Sequence, residues 1–198
     1  MKLKKVSRLC ALLFFAIVAM SFFTGCQQTK PGEGAQKKDG KFPVTITDVY
    51  GSTVTIEKEP QRIIALAPSI VEVLYELGLQ DKIVGVTDYC DYPAQAKEKN
   101  KVGSFNGLNI EKIVEAKPDL ILAGTGISKE DFQKLTDLKM KVVVTEAKTF
   151  SQIPETFMMM GKATGTEDKA KNLTDELTKK IDDIKVKAQD AKKVRTYY

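Results

Sequence analysis

Between Arg62 and Gly165, short apolar runs alternate with segments of helical periodicity, and this alternation leaves the chain few architectures to choose from. "RIIALA" at 62–67 is a continuous apolar run, as expected of a strand covered on both faces. In "PSIVEVLYELG" the residues Ile70, Val73, Leu74 and Leu77 follow at helical spacing, and Gly78 stops the helix. "IVGVT" (83–87), "DLILAG" (119–124) and "KVVVTEA" (141–147) are the next strands. Between and after them come helical segments: "NIEKIVEAK", with Ile110, Ile113 and Val114 on one face; "SKEDFQKLTDL", capped by Ser128 and burying Phe132, Leu135 and Leu138; and "SQIPETFMMMGKATG", which tolerates Pro154 in its first turn. Such an order predicts the α/β class, with an open, mainly parallel sheet and helices on both faces. Ahead of it, "VTIT" (44–47) and "TVTIE" (53–57) alternate around a turn at Gly51, so Val44, Ile46, Val54 and Ile56 share one face of a hairpin.

Residues 166–193 are of a different kind. Ala170, Leu173, Leu177, Ile181, Ile184, Ala188 and Ala191 recur at steps of three and four, giving a single narrow apolar stripe. A helix of that length reaches roughly 40 Å, longer than a small lobe is wide, and suits a beam between two bodies. A coiled-coil seam is the alternative, but the stripe lacks the large residues of a stable dimer. "VRTYY" then reads as the start of a strand. It either opens a second lobe, otherwise absent from the sequence, or completes the first sheet.

The N-terminus carries Lys2, Lys4, Lys5 and Arg8 ahead of a nearly unbroken apolar run, Leu9 to Phe23. This is the order of a secretory signal, and the run is short for a bilayer-spanning anchor, which needs about 20 apolar residues. "FTGC" at 23–26 resembles the lipobox of bacterial lipoproteins, with Phe23 where an aliphatic residue is usual. That resemblance implies cleavage before Cys26, acylation of that cysteine, and a chain tethered on the extracytoplasmic face of the cell membrane. The Gly-, Gln- and Lys-rich stretch that follows reads as a flexible tether. The expected divisions are therefore a signal peptide (1–25), a tether (26–41), an α/β lobe (42–165), a connecting helix (166–193) and the start of a further lobe (194–198).

Composition excludes several functions. The chain has 31 basic and 26 acidic residues, but four of the basic ones precede Cys26, leaving 27 against 26 with no basic stripe for nucleic acid. There is no histidine, which argues against zinc sites, catalytic triads and a Cys90 nucleophile paired with a histidine base. Cys90 would be the one cysteine of the folded part, so no disulfide framework is expected. It reads as a small buried filler, or as a ligand contact. Asp88 and Asp91 lack the further oxygen ligands of a cation loop, and "GTG" at 124–126 lacks the lysine of a phosphate loop. No cofactor and no catalysis are expected.

Ligands of open α/β sheets bind outside the carboxyl ends of the strands. The corresponding loops here carry Tyr89, Tyr92 and Phe105 together with Ser69, Gly103, Gly107, Gly124 and Gly126. Rings supply rigid contact area, and glycines admit close approach, so the set suits a large, flat, partly apolar guest.

"RIIALAPSIVEVLYELG", "IVGVTDYCDYPAQA" and "VGSFNGLNIEKIVEAKPDLILA", followed by a long helix, resemble the N-terminal half of the periplasmic binding proteins for vitamin B12 and ferric siderophores, over residues 43–198. The resemblance implies two lobes joined by one long helix, ligand capture in the cleft between them, and delivery to an ABC permease and its ATPase. It implies ligand-facing roles for Pro68, Ser69, Tyr89 and Phe105, and permease docking by Glu111. Phe105 stands where the vitamin B12 binders have tryptophan. The strand-end loops hold no basic side chain, which favours a corrinoid over a ferric siderophore or haem. The rival readings are a siderophore or haem carrier, an enzyme on the same scaffold, and a remnant that folds without binding.

Overall fold

The computed structural model describes residues 41–104, 107–189 and 195, all within one unit, Asp39–Tyr198. Strands β1 (Val44–Thr47) and β2 (Thr53–Ile56) form the expected antiparallel hairpin, with Val44 opposite Ile56 and Ile46 opposite Val54. β3 (Ile63–Ala65), α1 (Pro68–Glu76), β4 (Ile83–Val86), the short pair β5 (Gly103–Ser104) and β6 (Gly107–Leu108), α2 (Ile110–Glu115), β7 (Leu120–Gly124), α3 (Lys129–Asp137), β8 (Val142–Thr145), α4 (Ile153–Thr164) and α5 (Glu167–Ala188) follow. The main sheet has the order β4–β3–β7–β8, with every pair parallel.

Because side chains alternate across a strand, the unbroken apolar runs feed two cores. One face presents Ile63, Ala65, Leu120, Leu122 and Val143 to α1 and α4 through Ile70, Leu74 and Met160. The other presents Ile64, Ile121, Ala123, Val142 and Val144 to α2 and α3 through Ile113 and Leu135. Helices therefore do cover both faces. Each fully buried aliphatic side chain contributes about 1.5–3 kcal/mol relative to exposure, so these layers dominate stability.

Polar side chains fix the edges. Both oxygens of Asp119, just ahead of β7, accept from the backbone N–H groups of Gln61 and Arg62, at 2.8 and 2.9 Å, aligning β3 with its neighbour. Asp48 is buried and closes the hairpin turn by accepting from the N–H groups of Tyr50 (3.0 Å) and Ser52 (2.8 Å), while its second oxygen accepts from Val144 N–H at 3.3 Å. Val49 N–H also donates to the Val144 carbonyl, at 3.2 Å. The turn thus covers the open edge of β8, where unpaired backbone groups would otherwise invite another chain.

Three details depart from the periodicity. Leu138 is 51% exposed because α3 ends at Asp137, and Phe132 is only half-buried. Val114 is 46% exposed because α2 is six residues long and packs mainly through Ile113. "GSFNGLN", read as a loop, forms β5 and β6, which are too short to show an alternation.

The long helix is present over Glu167–Ala188, about 33 Å at 1.5 Å per residue. Its base is locked to α4. A Cβ on Gly161 would lie 2.4 Å from the Ala170 Cβ, so the two helices cross where one methyl is missing. Ala170 is buried, Leu173, Leu177 and Ile181 are half-buried, and every residue from Asp182 to Gln189 is exposed. The expected strand at 194–198 lies outside the described residues except for Arg195, as do the signal, Cys26 and nearly all of the tether.

Candidate ligand-binding site

The four parallel strands end together, and the loops that leave them make one surface. After β3, Ala67 is extended and Pro68, with φ restrained by its ring, starts α1; no side chain caps that first turn. Ser69 follows, exposed.

The loop after β4 is held from below. Cys90 is fully buried in the core, with its Sγ 3.2 Å from Thr87 Oγ1, while Cys90 N–H donates to the Thr87 carbonyl at 3.1 Å. Lys101 Nζ donates to the carbonyls of Cys90 (2.9 Å), Thr87 (3.4 Å) and Ala96 (3.5 Å), so one ammonium ties three points of the segment. With its middle fixed, the loop turns its rings outward: Tyr89 is 50% and Tyr92 67% exposed. Cys90 is thus the buried filler, not a ligand contact.

On the other side, Thr125 Oγ1 donates to Glu146 Oε1 at 2.8 Å, joining the loops after β7 and β8. Lys148 Nζ lies 3.4 Å from Glu146 Oε2, and Thr156 Oγ1 donates to the Glu146 carbonyl at 3.2 Å. Tyr50, edge-on to Phe132 with ring centroids 5.7 Å apart, donates from its hydroxyl to the Thr125 carbonyl at 3.3 Å. The hairpin turn therefore props the β7 loop.

Between α1 and α4 runs an open pocket of about 500 Å³, which meets these loops at Tyr92, Gly124, Thr145 and Glu146 and is lined along α1 from Ser69 to Glu76. Val73, Phe157, Met160 and Leu173 give it an apolar wall. The volume is in the range of small-molecule sites. Tyr75 also lines it, with a buried hydroxyl that has no hydrogen-bond partner. Burial, reinforced by the Glu98 and Asp81 carboxylates, raises the Tyr75 pKa and keeps the phenol neutral.

Of the residues expected at the site, Ser69 lines this pocket and Pro68 adjoins it in sequence at the exposed start of α1. Tyr89 is on the same loop as Tyr92 but outside the lining, and Phe105 lies outside the described residues. Glu111 is exposed in the first turn of α2, on the far side of the sheet from α1 and α4, behind an N-cap at Asn109 that accepts from Lys112 N–H at 2.9 Å. Sequence reasoning passed over Glu146. Its only local signal is a carboxylate directly after the strand Val142–Thr145. Among the described residues, no group of three or more acidic or cysteine side chains is arranged to hold a metal ion, and no helix is long and apolar enough to cross a membrane.

The chain is 38% identical over 202 residues to YvrC of Bacillus subtilis (strain 168), an uncharacterized ABC transporter substrate-binding lipoprotein, covering 96% of this chain and 62% of that protein. Among solved structures, the periplasmic vitamin B12 binding protein BtuF of Vibrio cholerae superposes with a TM-score of 0.64 at 31% identity, over 69% of this chain and 54% of that one. A periplasmic solute-binding protein of Staphylococcus epidermidis ATCC 12228, described as a possible iron-binding protein, gives a TM-score of 0.62 at 36% identity, over the same shares of 69% and 54%. These relatives are solute-binding proteins rather than enzymes, and the chain spans between about half and two thirds of their lengths. Residues 63–198 match the periplasmic binding protein family, and the chain belongs to it.

Proposed function

We propose that the chain provides the N-terminal lobe and connecting helix of an extracytoplasmic solute-binding lipoprotein, which captures a corrinoid and hands it to an ABC permease and its ATPase. The observation that carries this reading is the pocket between α1 and α4, which reaches the carboxyl ends of the parallel strands at Gly124 and Thr145 and is lined there by Ser69 and Tyr92. The likeness to a vitamin B12 binding protein supports the choice of guest. Pro68, Ser69, Tyr89 and Phe105 contact the ligand in this reading, Glu111 docks on the permease, and acylated Cys26 is the membrane tether. The mature chain would act on the outer face of the cytoplasmic membrane.

Calorimetric titration with cyanocobalamin should saturate, and Ser69→Ala or Tyr89→Ala should weaken it about tenfold. Glu111→Ala should leave the titration unchanged while lowering stimulation of the permease's ATPase. An absence of heat with cyanocobalamin would remove the corrinoid. The second reading, an iron chelate, is favoured by the likeness to the staphylococcal protein, and saturable binding of a ferric hydroxamate in the same titration would select it.

A further inference from the structure

Resting on the ligand site just proposed, we infer that Glu146 sets the charge selectivity of that site: it accepts guests fringed with carboxamide or amine donors and turns away guests that carry net negative charge. Three carboxylates, Glu72, Glu76 and Glu146, line the pocket, and among the described residues no lysine or arginine does. Glu146 is the one set at a strand end, and its orientation is fixed by the 2.8 Å bond from Thr125. A carboxylate oxygen has room for more than one donor, so this bond positions the group without saturating it. The side chain is 29% exposed, while its cationic neighbour Lys148 is 72% exposed. Glu146 is therefore partly withdrawn from water, where a charge-assisted bond to a guest gains strength, and its 3.4 Å ion pair with Lys148 is screened because the lysine is largely exposed.

Ser69 lines the pocket at the exposed start of α1, where its hydroxyl can donate to or accept from a guest. A guest N–H₂ group can donate to the fixed Glu146 carboxylate, and a carboxamide fringe supplies such donors without net charge. A guest edged with carboxylates would bring like charge towards Glu146 in a partly dry pocket.

The full chain and its Glu146→Gln and Tyr92→Ala variants are titrated calorimetrically against three probes: cyanocobalamin, which is neutral and fringed with carboxamides; ferrioxamine B, a cationic ferric hydroxamate; and haem, which carries two propionates. The wild-type chain should bind cyanocobalamin or ferrioxamine B more tightly than haem. Glu146→Gln should narrow that preference by about tenfold. Tyr92→Ala should weaken all probes together. Haem binding tightest to the wild-type chain, or a preference unmoved by Glu146→Gln while Tyr92→Ala still weakens binding, would overturn the role of Glu146 and leave the pocket standing. Failure of every probe to bind, or binding indifferent to Tyr92→Ala, would instead overturn the ligand site itself, and this inference with it.

Discussion

Two loop systems frame the pocket and are built in opposite ways. The segment after β4 is anchored inward, with a fully buried thiol at its centre and a lysine gathering three of its carbonyls, and it exposes Tyr89 and Tyr92 beside Asp88 and Asp91. The loops after β7 and β8 are joined at the surface by one hydroxyl–carboxylate bond and expose polar groups. The tyrosine platform is thus part of the fold, and disturbing its support costs stability. The Glu146 side can change chemistry at little cost, so in the proposed site the part that holds a guest is separate from the part that chooses it.

The sharpest way to break this contrast is Lys101→Met, which keeps the unbranched stem but removes all three donors. It should cost about 1–3 kcal/mol, read as a lower urea midpoint at unchanged slope, because three part-buried carbonyls lose their partner together. An unchanged midpoint would mean that the loop stands without its lysine. Thr125→Val, on the other side, should cost about 1 kcal/mol or less, since Glu146 keeps access to water and to Lys148. If it destabilised the chain as much as Lys101→Met, the two systems would be equally structural.

Tyr75, which lines the same pocket, offers the smallest and most specific effect. Its folded pKa is raised, so the stability it contributes is present below the phenol's ordinary value near 10 and is lost as pH rises through the folded value. Thermal melts of wild type should therefore fall off in that alkaline range more steeply than those of Tyr75→Phe. Near pH 7 the variant should be at least as stable as wild type, because the buried hydroxyl it removes has no partner. Parallel alkaline profiles would show that Tyr75 is not desolvated.

Much of the scaffold was legible because its determinants are local. Short apolar runs marked β3, β4, β7 and β8, and Ser128 was readable as an N-cap because its hydroxyl accepts from Asp131 N–H only three residues away. What stayed hidden depends on contacts distant in sequence. The turn that closes the β8 edge joins Asp48 to Val144, and the position of Glu146 depends on Thr125 of another loop. Spacing along the chain carries no trace of either. Leu138 misled for a related reason: its place in the stripe was right, but the helix had already ended. At the pocket, Ser69 and Tyr92 were readable as residues of strand-end loops, whereas Phe157, Met160 and Leu173 looked like ordinary core positions until α4 and α5 brought them to its wall.

The notch at Gly161 reaches further than its size suggests. Pressed against Ala170, it acts as a fulcrum for a rod whose last turns are exposed. A few degrees of tilt there would carry the far tip, about 27 Å along the rod, through roughly 2 Å, so a single missing methyl group helps to set the direction in which α5 points.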